Sequence, residues 1–114
     1  NTSSSLFRES LLEMKNFTVK MNGLQETTYG LAGLGDLYVS VAGGRNSKMG
    51  YYLGLGKKYQ NIKRKEMKSI TTEGCELALE IGPIIKKKFK RIQFPILFAL
   101  IDAICKNQKL KIKW

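Results

Sequence analysis

Gly30-Leu31-Ala32-Gly33-Leu34-Gly35-Asp36-Leu37-Tyr38-Val39-Ser40-Val41-Ala42-Gly43-Gly44-Arg45-Asn46-Ser47-Lys48-Met49-Gly50 is the stretch on which the reading of this chain turns. It sets one carboxylate, Asp36, among glycines and aliphatics, and brings in Arg45-Asn46 after a glycine pair. A buried, isolated carboxylate is costly, so Asp36 is expected to need a partner. Acid and Arg read as two halves of one site, the Arg binding an anion. Two plainer readings stay open: a Gly-rich helix corner capped by Asp36, or an Arg that only pairs with Asp36. Residues 36–42 have strand-favouring Tyr and Val, but a lone strand would have nothing to pair with in an otherwise helical chain. As a helix, the segment puts Asp36 and Ser40 at i and i+4, on one face.

Working outward, Leu6, Leu11, Leu12, Met14, Phe17 and Met21 recur at spacings that suit an amphipathic helix over 3–21, with Asn22-Gly23 as its stop and Gly as the left-handed residue. A short helical turn over 25–30 leads into the glycine corner. Gly43-Gly44 breaks the next helix, and Arg45-Asn46 starts another, running to about Leu55. Gly54-Leu55-Gly56 closes it, and a lysine-rich loop with room for one short turn follows. Thr71 or Thr72 caps a helix through Leu77, Ile81, Ile85 and Phe89, with a kink or break expected near Pro83. A last helix spans Pro95 to Lys106, Pro occupying its first turn. The tail 107–114 reads as basic and peripheral. The fold class is all-α.

At 114 residues the chain is sized for one domain with a modest core. Its 43% hydrophobic content is that of a folded protein. No apolar run is long enough to span a bilayer, and the start has no signal-peptide pattern. The first residues read as the interior of a helix, so the chain is expected to be the C-terminal piece of something longer. Cys75 and Cys105 lack the spacing of a disulfide framework and are expected to be reduced core residues, consistent with a cytoplasmic setting. With no histidine, Ser-His-Asp and Cys-His catalysis within the chain are excluded and a metal site is not expected.

Net charge is +11, which raises nucleic acid as a partner. The cations gather at Lys57, Lys58, Lys63, Arg64, Lys65 and Lys68, and again at Lys86, Lys87, Lys88, Lys90 and Arg91. Lysine dominates and no stacking aromatics accompany it, so a solvated surface is favoured over a basic nucleic-acid-binding module. The glycines form neither a dinucleotide fingerprint nor a phosphate-binding P-loop. At the start of a helix, Arg45-Asn46 would meet free N–H groups and the positive end of the dipole, a setting that favours phosphate.

A-G-L-G-D-L, a hydroxyl residue four positions after the Asp, and R-N opening the next element together resemble the C-terminal domain of NAD(P)-dependent glycerol-3-phosphate dehydrogenase. Asn1-Thr2 followed by L-F-R-E-S-L-L-E-M, Thr71-Thr72-Glu73-Gly74, and Phe94-Pro95-Ile96 extend the resemblance along nearly the whole chain. It implies a single helical domain over 1–114, similar to the C-terminal domain of 6-phosphogluconate dehydrogenase, with an N-terminal Rossmann domain absent. The implied reaction interconverts dihydroxyacetone phosphate and sn-glycerol 3-phosphate with NAD or NADP, in a cytoplasmic enzyme that is a homodimer with no membrane span. The resemblance further implies that Asp36 and Ser40 are catalytic and that Asp36, Gly44, Arg45 and Asn46 bind substrate. Arg45, Glu73 and Thr71 would contact cofactor, and Asn1 matches an active-site Asn. The family's acid/base lysine falls before Asn1. Another dehydrogenase of the same superfamily is the enzymatic alternative; G-G-R-N argues against it.

Overall fold

The computed structural model describes residues 2–112, and the Asn1 expectation lies outside them. Seven α-helices are described: α1 (Thr2–Lys20), α2 (Gln25–Tyr29), α3 (Asp36–Val41), α4 (Arg45–Gly54), α5 (Tyr59–Arg64), α6 (Glu73–Lys88) and α7 (Pro95–Cys105). No strand occurs among the described residues, which makes the fold all-α as expected. The helices fall into two compact units, Asn1–Ala42 and Gly43–Trp114.

In the first unit, α1 ends in a Schellman turn. Asn22 takes the left-handed conformation (φ 65°), the N–H of Gly23 bonds Thr18 O at 2.7 Å, and that of Asn22 bonds Val19 O at 3.0 Å. The stop is therefore made by Asn22 and not by Gly23. Gly23 is needed for a different reason, since a Cβ there would lie 2.6 Å from the Thr18 methyl. The expected glycine corner is a π-helical turn, Leu31–Gly35, running directly into α3. Its widened ring is visible in the Gly35 N–H, which bonds Gly30 O five residues back at 3.1 Å. A Cβ on Gly33 would sit 2.6 Å from Thr28 Cα, so this turn packs backbone on backbone. The apolar residues of α1, including Leu6, Leu11 and Phe17, stay only half-buried. A unit of 42 residues has too little interior to cover them.

The second unit holds the larger core: Met49 and Leu53 from α4, Tyr59 and Ile62 from α5, Met67, Cys75 from α6, and Ala103 and Ile104 from α7. Gly82 lets α6 and α7 approach closely, its missing Cβ falling 3.0 Å from Ile101 Cγ2. Cys105 Sγ donates across the same seam to Ala78 O at 3.2 Å. Both cysteines are free, Cys75 buried and Cys105 partly so. Burial pushes both thiols up, Cys75 by desolvation first and Cys105 likewise, so neither is poised as a nucleophile.

Two expectations change here. Helix α6 runs through Pro83 without the break that is one of the two outcomes expected there. Pro83 lies on the exposed face, where water can take the hydrogen bond that Leu79 O loses. The tail is not wholly peripheral, because Leu110 packs against the core. It is brought back by Asn107, which turns at φ 52° and whose Oδ1 accepts the Gln60 N–H at 2.9 Å.

Candidate functional site

Two helix starts meet in the second unit. Gly44 precedes α4 with φ 106°, a conformation that costs a side-chain-bearing residue strain, and this explains the glycine before Arg45-Asn46. Thr72 stands at the cap position of α6, but its side chain makes no capping bond, contrary to expectation. That N-terminus finds a partner elsewhere: the Gly74 N–H donates to Asn46 Oδ1 at 3.2 Å. A Cβ on Gly74 would lie 3.1 Å from the same oxygen, so glycine is what permits the approach. Thr-Glu-Gly and Gly-Arg-Asn are thus one structural feature.

Arg45 and Glu73 flank this joint. Their charged ends are 4.0 Å apart, with the side chains 60% and 80% exposed. An ion pair that long and that wet contributes close to nothing to stability. The Arg45 guanidinium therefore keeps its donors available to an incoming anion, beside the free N–H groups of the first turn of α4. Because Asn46 Oδ1 is already occupied, its Nδ2 is the polar group left to donate. Thr71 is exposed on the segment just before α6. The structure brings Gly44, Arg45, Asn46, Glu73 and Gly74 together.

Asp36 and Ser40 belong to the first unit and share one face of α3. Both are exposed. The expectation of a buried Asp36 is corrected, since the π-turn leaves this face of the glycine run open. The cap reading fails as well. Asp36 has helical geometry (φ −64°, ψ −41°) and the chain is already helical at Gly35, so α3 has no fresh N-terminus there to cap. Asp36 is an outward-facing carboxylate with no structural duty on its own helix.

One cluster was missed from sequence. Asp102, on α7, is buried, and its carboxylate is bonded by Lys86 on one oxygen and by Arg91 at 2.5 Å on the other. Burial alone would raise its pKa, but the bonds from Lys86 and Arg91 outweigh that and hold it below the ordinary carboxylate value. Two members of the second lysine-rich run are therefore structural and not merely solvated. In the first run, Lys63 bonds Ile70 O and Lys57 pairs with Glu66 at 3.1 Å. The available signal was an acid in an apolar helix, four residues before Lys106.

No group of metal-ligating side chains occurs among the described residues, and no described helix is long and apolar enough to cross a membrane.

The family model described as NAD-dependent glycerol-3-phosphate dehydrogenase C-terminus matches residues 1–113. The chain is 31% identical to a glycerol-3-phosphate dehydrogenase [NAD(P)+] of Lactobacillus delbrueckii, over 91% of this chain and 30% of that protein. It is 33% identical to one of Acinetobacter baumannii, over 91% of this chain and 29% of that protein. One of Brachyspira hyodysenteriae is 39% identical over 54% of this chain and 19% of its own length. The chain thus spans under a third of these curated relatives. No solved structure matches it.

Proposed function

Taking as premise that this chain belongs to the NAD-dependent glycerol-3-phosphate dehydrogenase C-terminus family, we propose that it is the substrate-gripping domain of an oxidoreductase that interconverts dihydroxyacetone phosphate and sn-glycerol 3-phosphate. Both compact units would form one helical domain, paired in the complete cytoplasmic protein with a nucleotide-binding Rossmann domain, and the complete protein would be a homodimer. The observation that carries this reading is the joint between the two helix starts, Asn46 Oδ1 holding the Gly74 N–H with Arg45 beside it.

The substrate phosphate would be held by Arg45, by Asn46 Nδ2 and by the free N–H groups at the start of α4. Binding energy spent on this non-reacting group positions the ketone for reaction. NAD or NADP supplies the hydride when bound. The residues present fit an edge contact with such a group: Arg45 is a cation suited to its phosphates, and the exposed Glu73 carboxylate and Thr71 hydroxyl suit its ribose or amide donors. Asp36 would hold the ammonium of a lysine supplied from outside this chain, keeping it charged for donation to the developing alkoxide, with Ser40 beside it on α3. The outward placement of Asp36, free of any capping duty, supports that role. Exposed Leu24, Leu31, Tyr38 and Val39 on the first unit support its packing against a further part of the complete protein.

The test is NADH or NADPH consumption by the complete protein with dihydroxyacetone phosphate and with unphosphorylated dihydroxyacetone. Turnover that depends on the phosphate is expected from the complete protein, and none from the 114-residue chain alone. Equal activity with both ketones contradicts the phosphate grip, and turnover by the chain alone contradicts the division of labour.

A further inference from the structure

A second charged feature lies where the tail folds back over α5 and α7. A cavity of about 670 Å³ is lined there by Lys58, Arg91, Lys106, Lys109 and Lys111, with Asp102 the only acid among the described residues that line it. These cations come from three separate parts of the chain, and the fold holds them together. Asn107 ties the tail to the start of α5 through the Gln60 N–H, and Leu110 anchors the tail on the core.

The charges in this cavity do not balance. Asp102 is already committed to Lys86 and Arg91, and Lys106 stands 3.8 Å from the same carboxylate. Lys58, Lys109 and Lys111 form no ion pair with any described residue. Lys86 and Lys106 both reach the same Asp102 oxygen, which brings their two ammoniums close together. Like charges gathered in one concave site repel, and a multivalent anion would relieve them. No aromatic side chain among the described residues lines the cavity, so these residues offer no platform on which nucleic-acid bases could stack. The volume is that of a small-molecule site.

We propose that this cavity binds a small polyphosphate, an anion carrying two or three linked phosphates, through Lys58, Arg91, Lys106, Lys109 and Lys111. Lysine ammoniums act as point charges toward phosphate and the Arg91 guanidinium adds directional donors. The site is separate from the Arg45–Asn46 helix start and does not depend on the function proposed for it.

Calorimetric titration of the complete protein with pyrophosphate tests this. Run in the Arg45→Ala background and with saturating NADH present, it suppresses the contributions of the Arg45 helix start and of the nucleotide-binding domain. Binding with Kd below about 100 µM at low salt is expected, with inorganic phosphate markedly weaker. The Lys58→Gln/Lys109→Gln variant should weaken pyrophosphate by about tenfold or more, because two charges in direct reach are lost. Lys68→Gln/Lys87→Gln removes the same net charge outside the cavity and should change affinity by less than about twofold. Absence of pyrophosphate binding overturns the proposal, as does equal weakening by both double variants. Binding of long RNA alone, equally reduced in both, would mark a diffuse basic surface and also overturns it.

Discussion

Asn46 Oδ1 accepts the backbone N–H of Gly74 at 3.2 Å, joining two helix starts that lie 28 residues apart in sequence. The bond fixes which way the Asn46 carboxamide faces: its oxygen accepts the Gly74 N–H, and its amide donors take no part in that bond. Arg45 reaches the same place with a partner too distant and too exposed to hold it.

Gly74→Ala tests this coupling. A Cβ would meet the Asn46 carboxamide at 3.1 to 3.4 Å, tight enough to turn it by a few tenths of an ångström. Alanine is the better helix former, so melting temperature should hold or rise slightly. KM for dihydroxyacetone phosphate in the complete protein should rise by about fivefold. An unchanged KM would show that the carboxamide's orientation does not matter.

Asp102→Asn should destabilise the second unit. Breaking a fully buried pair costs roughly 3–5 kcal/mol. Arg91 is 53% exposed and water screens part of its contribution, so a loss of about 2 kcal/mol is expected here. The pH dependence follows from the sign of the shift. Asp102 is held below its ordinary carboxyl value, so its contribution is complete above that value, near pH 4, and is lost as pH falls through the lower folded-state value. Chemical denaturation across acidic pH should show a steeper loss of stability in the parent than in Asp102→Asn. Parallel curves would remove Asp102 from the account of acid sensitivity.

Asp36→Asn should leave melting temperature unchanged, because Asp36 is exposed and caps nothing. Turnover of the complete protein should nevertheless fall by about a hundredfold or more, as neutralising the carboxylate releases the lysine it would orient. Normal turnover in this variant would remove Asp36 from the chemistry.

Much of this was legible in the sequence because it is local. Gly44 before Arg45, Pro95 at a helix start and Asn22-Gly23 after one are punctuation that acts within a turn, and each marks a helix boundary in the structure. What escaped depends on distant contacts. Asp36 looked buried because its neighbours are apolar, but the π-turn imposed by Gly33 against Thr28 leaves its face outward. Lys86 and Arg91 looked like solvated charge because their partner, Asp102, lies on another helix. Pro83 looked like a break because its exposure could not be known. Leu110 looked peripheral until Asn107 turned the tail onto the core.

The most direct measurement is the catalytic efficiency of Arg45→Ala in the complete protein with phosphorylated and unphosphorylated dihydroxyacetone. Loss of a charge-assisted phosphate contact should cost about 2–4 kcal/mol with dihydroxyacetone phosphate, a fall in kcat/KM of roughly thirty- to a thousandfold. The unphosphorylated ketone, lacking the group that Arg45 grips, should lose almost nothing. An unchanged kcat/KM with dihydroxyacetone phosphate, or an equal fall for both ketones, would contradict the role of Arg45 as the phosphate's anchor.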